Sequence, residues 1–353
     1  MRPFRKKIVI SAAVLALAVT GVTGCKASDD AVVVEVGNEE IPFGVANFYA
    51  RMQQAQYETY YASMMGTTAE AMWAQETEED KTYEETTKES ILKNLEDMYL
   101  LSQHREEYDI SITEEDEKAI AKAVGIFDED NSLEDKEMVS GYKKNVEKIL
   151  ELATIQTRMK EAMTADVDTE VSDEEAARKG MQYVYFSYTT TDESGNSVTL
   201  TDEEKEALKT TAQEFVDNLN ADETRNIDTA AANAGLEVQT ATFDSESTSP
   251  NADLVAAVDA LEKEGEIAGP VVTDSGIYVA KLTSLLDREA TDAKKTSIVE
   301  ERKEKQYDKL LEKWRNDTEI KVHKNVWKKV DFEDQGVTIL ESPDEYTDET
   351  TEE

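Results

Sequence analysis

Apolar residues recur along this chain at two spacings, and the change of spacing divides it. Within residues 84–107, Ile91, Leu95, Met98 and Leu101 return close to every 3.6 residues, which predicts a helix with one buried face. Residues 43–65 place Val45, Phe48, Met52 and Tyr60 near one face, behind Pro42 at a helix start. Thr113, with Asp116 three residues on, predicts a capped helix. Residues 131–163 contain a further long helix, with Val146, Ile149, Leu150, Ile155 and Met159 as its buried positions. A valine-rich strand over 31–36, a Gly37-Asn38 turn and Ile41 precede this helical half. Residues 66–82 are polar and poorly periodic, which predicts a loop or mobile insertion.

The pattern changes near residue 171. Ser172 with Glu175, and Thr201 with Glu204, have capping-box spacing. Residues 181–188, with Tyr183, Val184, Tyr185 and Phe186, are β-prone. Leu208, Ala212, Phe215 and Leu219 predict a helix, and residues 227–233 a shorter one. A strand over 236–243, a polar loop over 244–251 and a helix through Leu254, Val258 and Leu261 follow. Residues 271–272 and 277–282 read as closing strands, which completes an α+β unit. Residues 291–316 form a charged helix with Tyr307, Leu310, Leu311 and Trp314 as its apolar stripe. Residues 319–330 are strand-like, and the acidic run from Asp334 predicts disorder.

The N-terminus changes the picture. Arg2, Arg5, Lys6 and Lys7 precede an uncharged, apolar run over residues 8–20. That run falls short of the roughly 20 residues a membrane span needs and suits the core of an export signal. It ends in Val22-Thr23-Gly24-Cys25, which resembles the bacterial lipobox. The resemblance implies cleavage before Cys25, lipidation of its thiol, and a body on the extracytoplasmic face of the membrane. Cys25 is the only cysteine, so an intramolecular disulfide is excluded. The net charge of −40 stands near −44 once the four leader cations are removed, which disfavours nucleic acid and anionic headgroups.

One segment carries a family resemblance. Leu261, Gly265-Glu266, Pro270-Val271 and Gly276-Ile277-Tyr278 follow the closing pattern of parvulin-type peptidyl-prolyl isomerase domains. The element order over 181–287 is similar to a parvulin, and the layout of residues 31–330 resembles the SurA and PrsA foldases. The resemblance implies an α+β chain: a mainly helical chaperone module with an inserted parvulin-like domain. Its boundaries are a signal peptide over 1–24, a tether over 25–30 and a helical module over 31–170. A parvulin-like domain over 171–287, a helix and strand over 288–332 that return to the module, and an acidic tail over 333–353 complete the chain. Unfolded exported proteins are the partners it implies, and a homodimer is compatible with it.

The departures bear on chemistry. Tyr183 and Tyr278 stand where parvulins carry histidines, and Leu254 stands where a pocket phenylalanine is usual. The two histidines, His104 and His323, lie outside that unit. Tyrosines donate hydroxyl hydrogen bonds but have no interchangeable tautomers. These residues are the candidates for a degenerate pocket, and the catalytic residues stay unassigned. No spacing supports a metal site or a cofactor. Asp128-Glu129-Asp130-Asn131 lacks the glycine and terminal glutamate of a calcium loop.

Met52, Tyr57, Tyr61, Met64, Met65 and Trp73 crowd one stretch and are candidates for a client-binding wall. Methionine is flexible and polarizable and suits surfaces that accept varied sequences. The function expected is a membrane-anchored chaperone or foldase. An active isomerase with a divergent pocket, and a solute-binding or adhesive lipoprotein, are the alternatives.

Overall fold

The computed structural model describes residues 16–21, 27–77, 80–192 and 194–340. Residues 1–15 and Cys25, on which the expected export signal and lipidation rest, lie outside the described residues. The chain divides into two compact units, one formed by residues 1–166 and 304–353, the other by residues 167–303.

The first unit opens with β1 (Leu17–Gly21), then β2 (Val32–Val36) and β3 (Glu39–Pro42) joined through Gly37 at φ +58°. The positive φ suits the glycine of a tight turn. The helical part consists of α1 (Phe43–Gln56), a π-helical turn (Tyr57–Tyr61), α2 (Ala62–Met64), α3 (Ala69–Trp73), α4 (Tyr83–His104), α5 (Glu114–Asp130), α6 (Leu133–Val139) and α7 (Lys143–Met163). Both arms of the Thr113–Asp116 capping box are made. Ile91, Leu95, Met98 and Leu101 are buried along α4, as their spacing requires.

The long helix expected within 131–163 is α7, and the shorter α6 precedes it, the two separated where Ser140 takes a left-handed φ of +55°. The tether expected over 25–30 is docked where it is described: Gly44 N–H donates to the Asp29 carbonyl, and Ser140 Oγ donates to Asp29 Oδ1.

The second unit begins with α8 (Asp173–Ala176) and the strands β4 (Lys179–Ser187), β5 (Thr189–Thr191) and β6 (Ser197–Thr199). It continues with α9 (Asp202–Ala221), α10 (Ile227–Ala234), β7 (Gln239–Phe243), α11 (Ala252–Asp259), β8 (Ile267–Val272) and β9 (Gly276–Ser284). The main sheet is antiparallel with order β7-β4-β9-β8. Its alternating residues divide two cores. Val184, Phe186, Ile277 and Val279 face Ala212, Phe215 and Leu219 of α9, while Met181, Tyr183, Ala280 and Leu282 pack with Leu254, Val255 and Val258 of α11. Only half of the Ser172–Glu175 box forms. Ser172 caps Glu175 N–H, but the Glu175 carboxylate is held by Arg302 Nη2 at 2.7 Å.

The 30-residue helix α12 (Arg288–Asp317) begins in the second unit and ends in the first. There Tyr307 and Trp314 are buried beside Leu101, Ile155, Met159 and Met163. Then come β10 (Ile320–Val322), which pairs with β2, α13 (Lys324–Trp327) and β11 (Gln335–Ile339). The disorder expected from residue 333 is therefore corrected over residues 335–339, and residues 341–353 lie outside the described residues. Val337 is fully buried and β11 pairs with β1. Acidity obscured an alternating apolar pair, Val337 and Ile339, at the end of the chain.

Candidate functional site

The crowded methionine and aromatic stretch is divided by a change of helix type. Through α1, Phe43, Ala46, Phe48, Ala50 and Ala55 face the core. The π-helical turn then inserts one extra residue per turn and rotates the residues beyond it. Glu58 is carried inward, while Tyr60 and Tyr61 are carried outward. Tyr60, expected on the buried face, is 60 % exposed, and Met64 is 75 % exposed. Tyr61 and Met65 are also exposed. The four form an apolar ridge on the surface of the first unit.

The other members of the expected wall lie elsewhere. Met52 and Tyr57 are half-buried against the core. Trp73 is fully buried, which removes it from any exposed wall. Residues 66–82, expected as a loop or mobile insertion, hold α3, whose Met72 and Trp73 are both fully buried. A five-residue helix with two inward side chains is too short to show a period.

Aromatic rings grade from the ridge into the core. Tyr61 and Tyr57 lie 5.1 Å apart, Tyr57 and Trp73 5.7 Å, and Trp73 lies 5.0 Å from Phe332 and stacks on Tyr83 at 5.7 Å. A buried polar network lies below. Glu58 Oε1 accepts from Trp73 Nε1 at 2.9 Å and Gln54 Nε2 at 2.6 Å, and its Oε2 accepts from Val337 N–H at 2.8 Å. Arg51 Nη1 donates to Gln54 Oε1 at 2.7 Å and to the Asp331 carbonyl at 2.9 Å. Burial raises the Glu58 carboxyl above its ordinary value, partly offset by the Trp73, Gln54 and Val337 donors and by Arg51. Burial lowers the Arg51 guanidinium to about 10, still charged at neutral pH, with Glu84, Asp331 and Glu58 opposing. Sequence reasoning missed this network. Its signal was polar residues at i, i+3 and i+7 of a helix otherwise apolar on that face.

In the second unit, Tyr183 and Tyr278 lie on the same sheet face with ring centroids 6.0 Å apart, and Tyr185 lies 4.6 Å from Tyr278. The Tyr183 hydroxyl donates to Gln239 Oε1, and that of Tyr185 to the Ser275 carbonyl, both at 2.5 Å. Burial raises the Tyr183 and Tyr278 hydroxyls above the ordinary tyrosine value. Leu254 is fully buried in the core beneath α11. Gly276 is needed there: a Cβ on it would collide with the Phe186 carbonyl and lie 2.5 Å from the Tyr185 ring.

The two histidines are structural neighbours of other groups. His104 stacks on Trp314 at 4.1 Å and bonds Glu107, and His323 Nε2 lies 2.7 Å from Glu35 Oε1. His323, expected in a strand, stands at the N-cap position of α13 without a side-chain capping bond. Asp128 pairs with Lys136 and Lys143. Among the described residues no cluster of three or more histidines, cysteines or carboxylates could hold a metal ion, and no helix is long and apolar enough to cross a membrane.

Residues 1–145 match the family model of the SurA-like N-terminal domain. Over those residues the chain is similar to a SurA-like N-terminal domain. The ridge lies inside the matched residues, as do Arg51, Gln54, Glu58 and Trp73, whereas their partners Asp331 and Val337 lie outside them. Among solved structures the chain is similar to a SurA-like chaperone of Campylobacter jejuni, at 12% identity over 83% of this chain and 99% of that one, TM-score 0.29. It is also similar to the foldase protein PrsA of Streptococcus pneumoniae, at 15% identity over 70% and 94%, TM-score 0.30. A third is the peptidylprolyl isomerase PrsA of Bacillus anthracis, at 19% identity over 64% and 96%, TM-score 0.25. No curated protein matches the sequence.

Proposed function

We propose that this chain is an extracytoplasmic chaperone, tethered to the membrane through a lipidated Cys25, that holds unfolded segments of exported proteins. The observation that carries the reading is the ridge of Tyr60, Tyr61, Met64 and Met65, exposed in the SurA-like module. Four large apolar side chains raised together onto a surface mark an interaction site. Methionine adapts to varied partners, and tyrosine adds area with a polar tip. The surrounding negative charge supports solubility of a loaded complex. The tether confines the ridge near the membrane and raises its effective concentration on emerging chains.

The test is light scattering from an exported protein diluted out of denaturant. An equimolar amount of this chain suppresses the aggregation, and a Tyr60→Ser, Tyr61→Ser, Met64→Ser, Met65→Ser variant loses most of that effect while unfolding at the same temperature. A variant that suppresses aggregation as well as the parent sinks the ridge as the binding site. Lipidation is read separately. Labelled palmitate enters the chain in a bacterial host, and label that persists in Cys25→Ser refutes the anchor.

A further inference from the structure

Residues 17–21 occupy a slot beside β11. β1 and β11 pair antiparallel, with Leu17 opposite Ile339, Val19 opposite Val337 and Gly21 opposite Gln335. Among the described residues they form a sheet of two strands. The other edge of β11 is closed by side chains: Val337 N–H donates to Glu58 Oε2 and Ile339 N–H to Thr59 Oγ1, each at 2.8 Å. The alternation of a strand turns the N–H groups of Gly336, Thr338 and Leu340 the opposite way, toward β1. Leu340 N–H reaches the Ala16 carbonyl at 2.7 Å.

The slot also has a floor. Leu17 is 3% exposed and joins the main core of the first unit, with Val19 packed against the same core. Leu17 N–H donates to the buried Asn131 Oδ1 at 2.8 Å. Gly336 brings the strands close: a Cβ on it would lie 2.8 Å from Thr20 Oγ1. The occupant is thus an uncharged, extended pentapeptide, read by a backbone ladder and by two apolar side chains at i and i+2.

These residues precede Cys25, inside the leader. The geometry points to a strand-acceptor site: once the leader is removed, β11 takes up an extended apolar segment of an unfolded client in the place of β1. The inference rests on the proposed cleavage before Cys25 and on the chaperone reading. It adds a binding mode, strand addition, that is distinct from the ridge. Main-chain hydrogen bonds supply affinity without demanding a sequence, and the Leu17 and Val19 positions select β-prone apolar segments. Before cleavage the leader fills the slot and completes the fold around β11. After cleavage the same edge is open.

The experiment uses the full chain carrying Cys25→Ser and a specific protease site in place of residues 22–24, before and after cutting and removal of the leader. The probe is a dye-labelled peptide of residues 14–23 with two lysines added for solubility, followed by fluorescence anisotropy. The cut chain binds at least tenfold more tightly than the uncut chain. Thr338→Pro, which deletes one N–H on the open edge and none on the closed edge, weakens binding at least tenfold. A peptide carrying Leu17→Asp and Val19→Asp does not bind. Peptide addition slows amide exchange at Gly336, Thr338 and Leu340 in the cut parent chain, a readout that needs no variant. Equal binding by cut and uncut chains, or unchanged exchange at those amides, overturns the acceptor site. Aggregation suppression measured on the same samples keeps the two ideas apart. Suppression without peptide binding leaves the chaperone reading and removes the slot. Finding the leader still attached to chain purified from membranes overturns the processing on which the slot depends.

Discussion

Replacing Trp73 by alanine removes the largest fully buried side chain of the first unit. An indole buries roughly 200 Å². At about 25 cal/mol per Å² its transfer is worth about 5 kcal/mol, and Trp→Ala changes in cores cost about 3–5 kcal/mol. The rings of Tyr57, Tyr83 and Phe332 lose a partner, and Glu58 loses one of its donors. The expected destabilisation of the first unit is therefore about 4–5 kcal/mol. With a urea m-value near 2 kcal/mol/M, the midpoint falls by about 2 M. Far-UV circular dichroism follows it without relying on the missing fluorophore. Trp73→Phe keeps most of the apolar volume and loses the N–H, so its cost is about 1–2 kcal/mol. A Trp73→Ala chain that keeps its midpoint yet fails to suppress aggregation would refute this reasoning and return Trp73 to the client-binding surface.

Three further expectations concern other parts of the molecule. Glu58 holds its proton more tightly in the folded than in the unfolded chain, because burial raises it above the ordinary 4.5. Its contribution is therefore fully present at low pH and declines as pH climbs from the ordinary value through the raised one. Wild-type stability should lose ground relative to Glu58→Gln over that climb in paired urea titrations, and a gain would reverse the sign. Gly276→Ala drives a methyl into the Phe186 carbonyl and the Tyr185 ring, so the second unit should lose about 3 kcal/mol in thermal unfolding; an unchanged transition contradicts the packing. Leu254 is fully buried and Tyr183 is bonded to Gln239, so the chain should leave the refolding of a proline-limited substrate unaccelerated. Acceleration abolished by Tyr183→Ala with Tyr278→Ala would establish an isomerase.

Much of the scaffold was legible because its signals are local. The Thr113–Asp116 and Thr201–Glu204 boxes form as spaced, and the apolar stripe of α4 is buried. Residues whose environment depends on distant chain were not legible. The π turn flips Glu58 in and Tyr60 out, and it is secured by contact with residues nearly 280 positions away. Periodicity assumes one helix type and cannot register the slip. β11 was hidden for a related reason: five residues in an acidic run acquire a structural role only through partners at the other end of the sequence. At the candidate pocket, the chain positions of Tyr183, Tyr278 and Leu254 were readable. The packing of Leu254 under α11 and the Tyr183–Gln239 bond were not, because they are set by pairing across β7, β4 and β9.

The chain leaves the first unit after residue 166 and re-enters it at 304. This topology sets an order of assembly for a protein delivered from its N-terminus. Every residue of the second unit emerges before β10, α13, Phe332 and β11 exist to complete the first. At synthesis rates of about 5–20 residues per second, the helical module waits on the order of ten seconds, its Arg51, Gln54 and Glu58 side chains without their C-terminal partners. The domain that starts first is thus the last to close. A chain truncated after α12 has a finished insert inside an unfinished host.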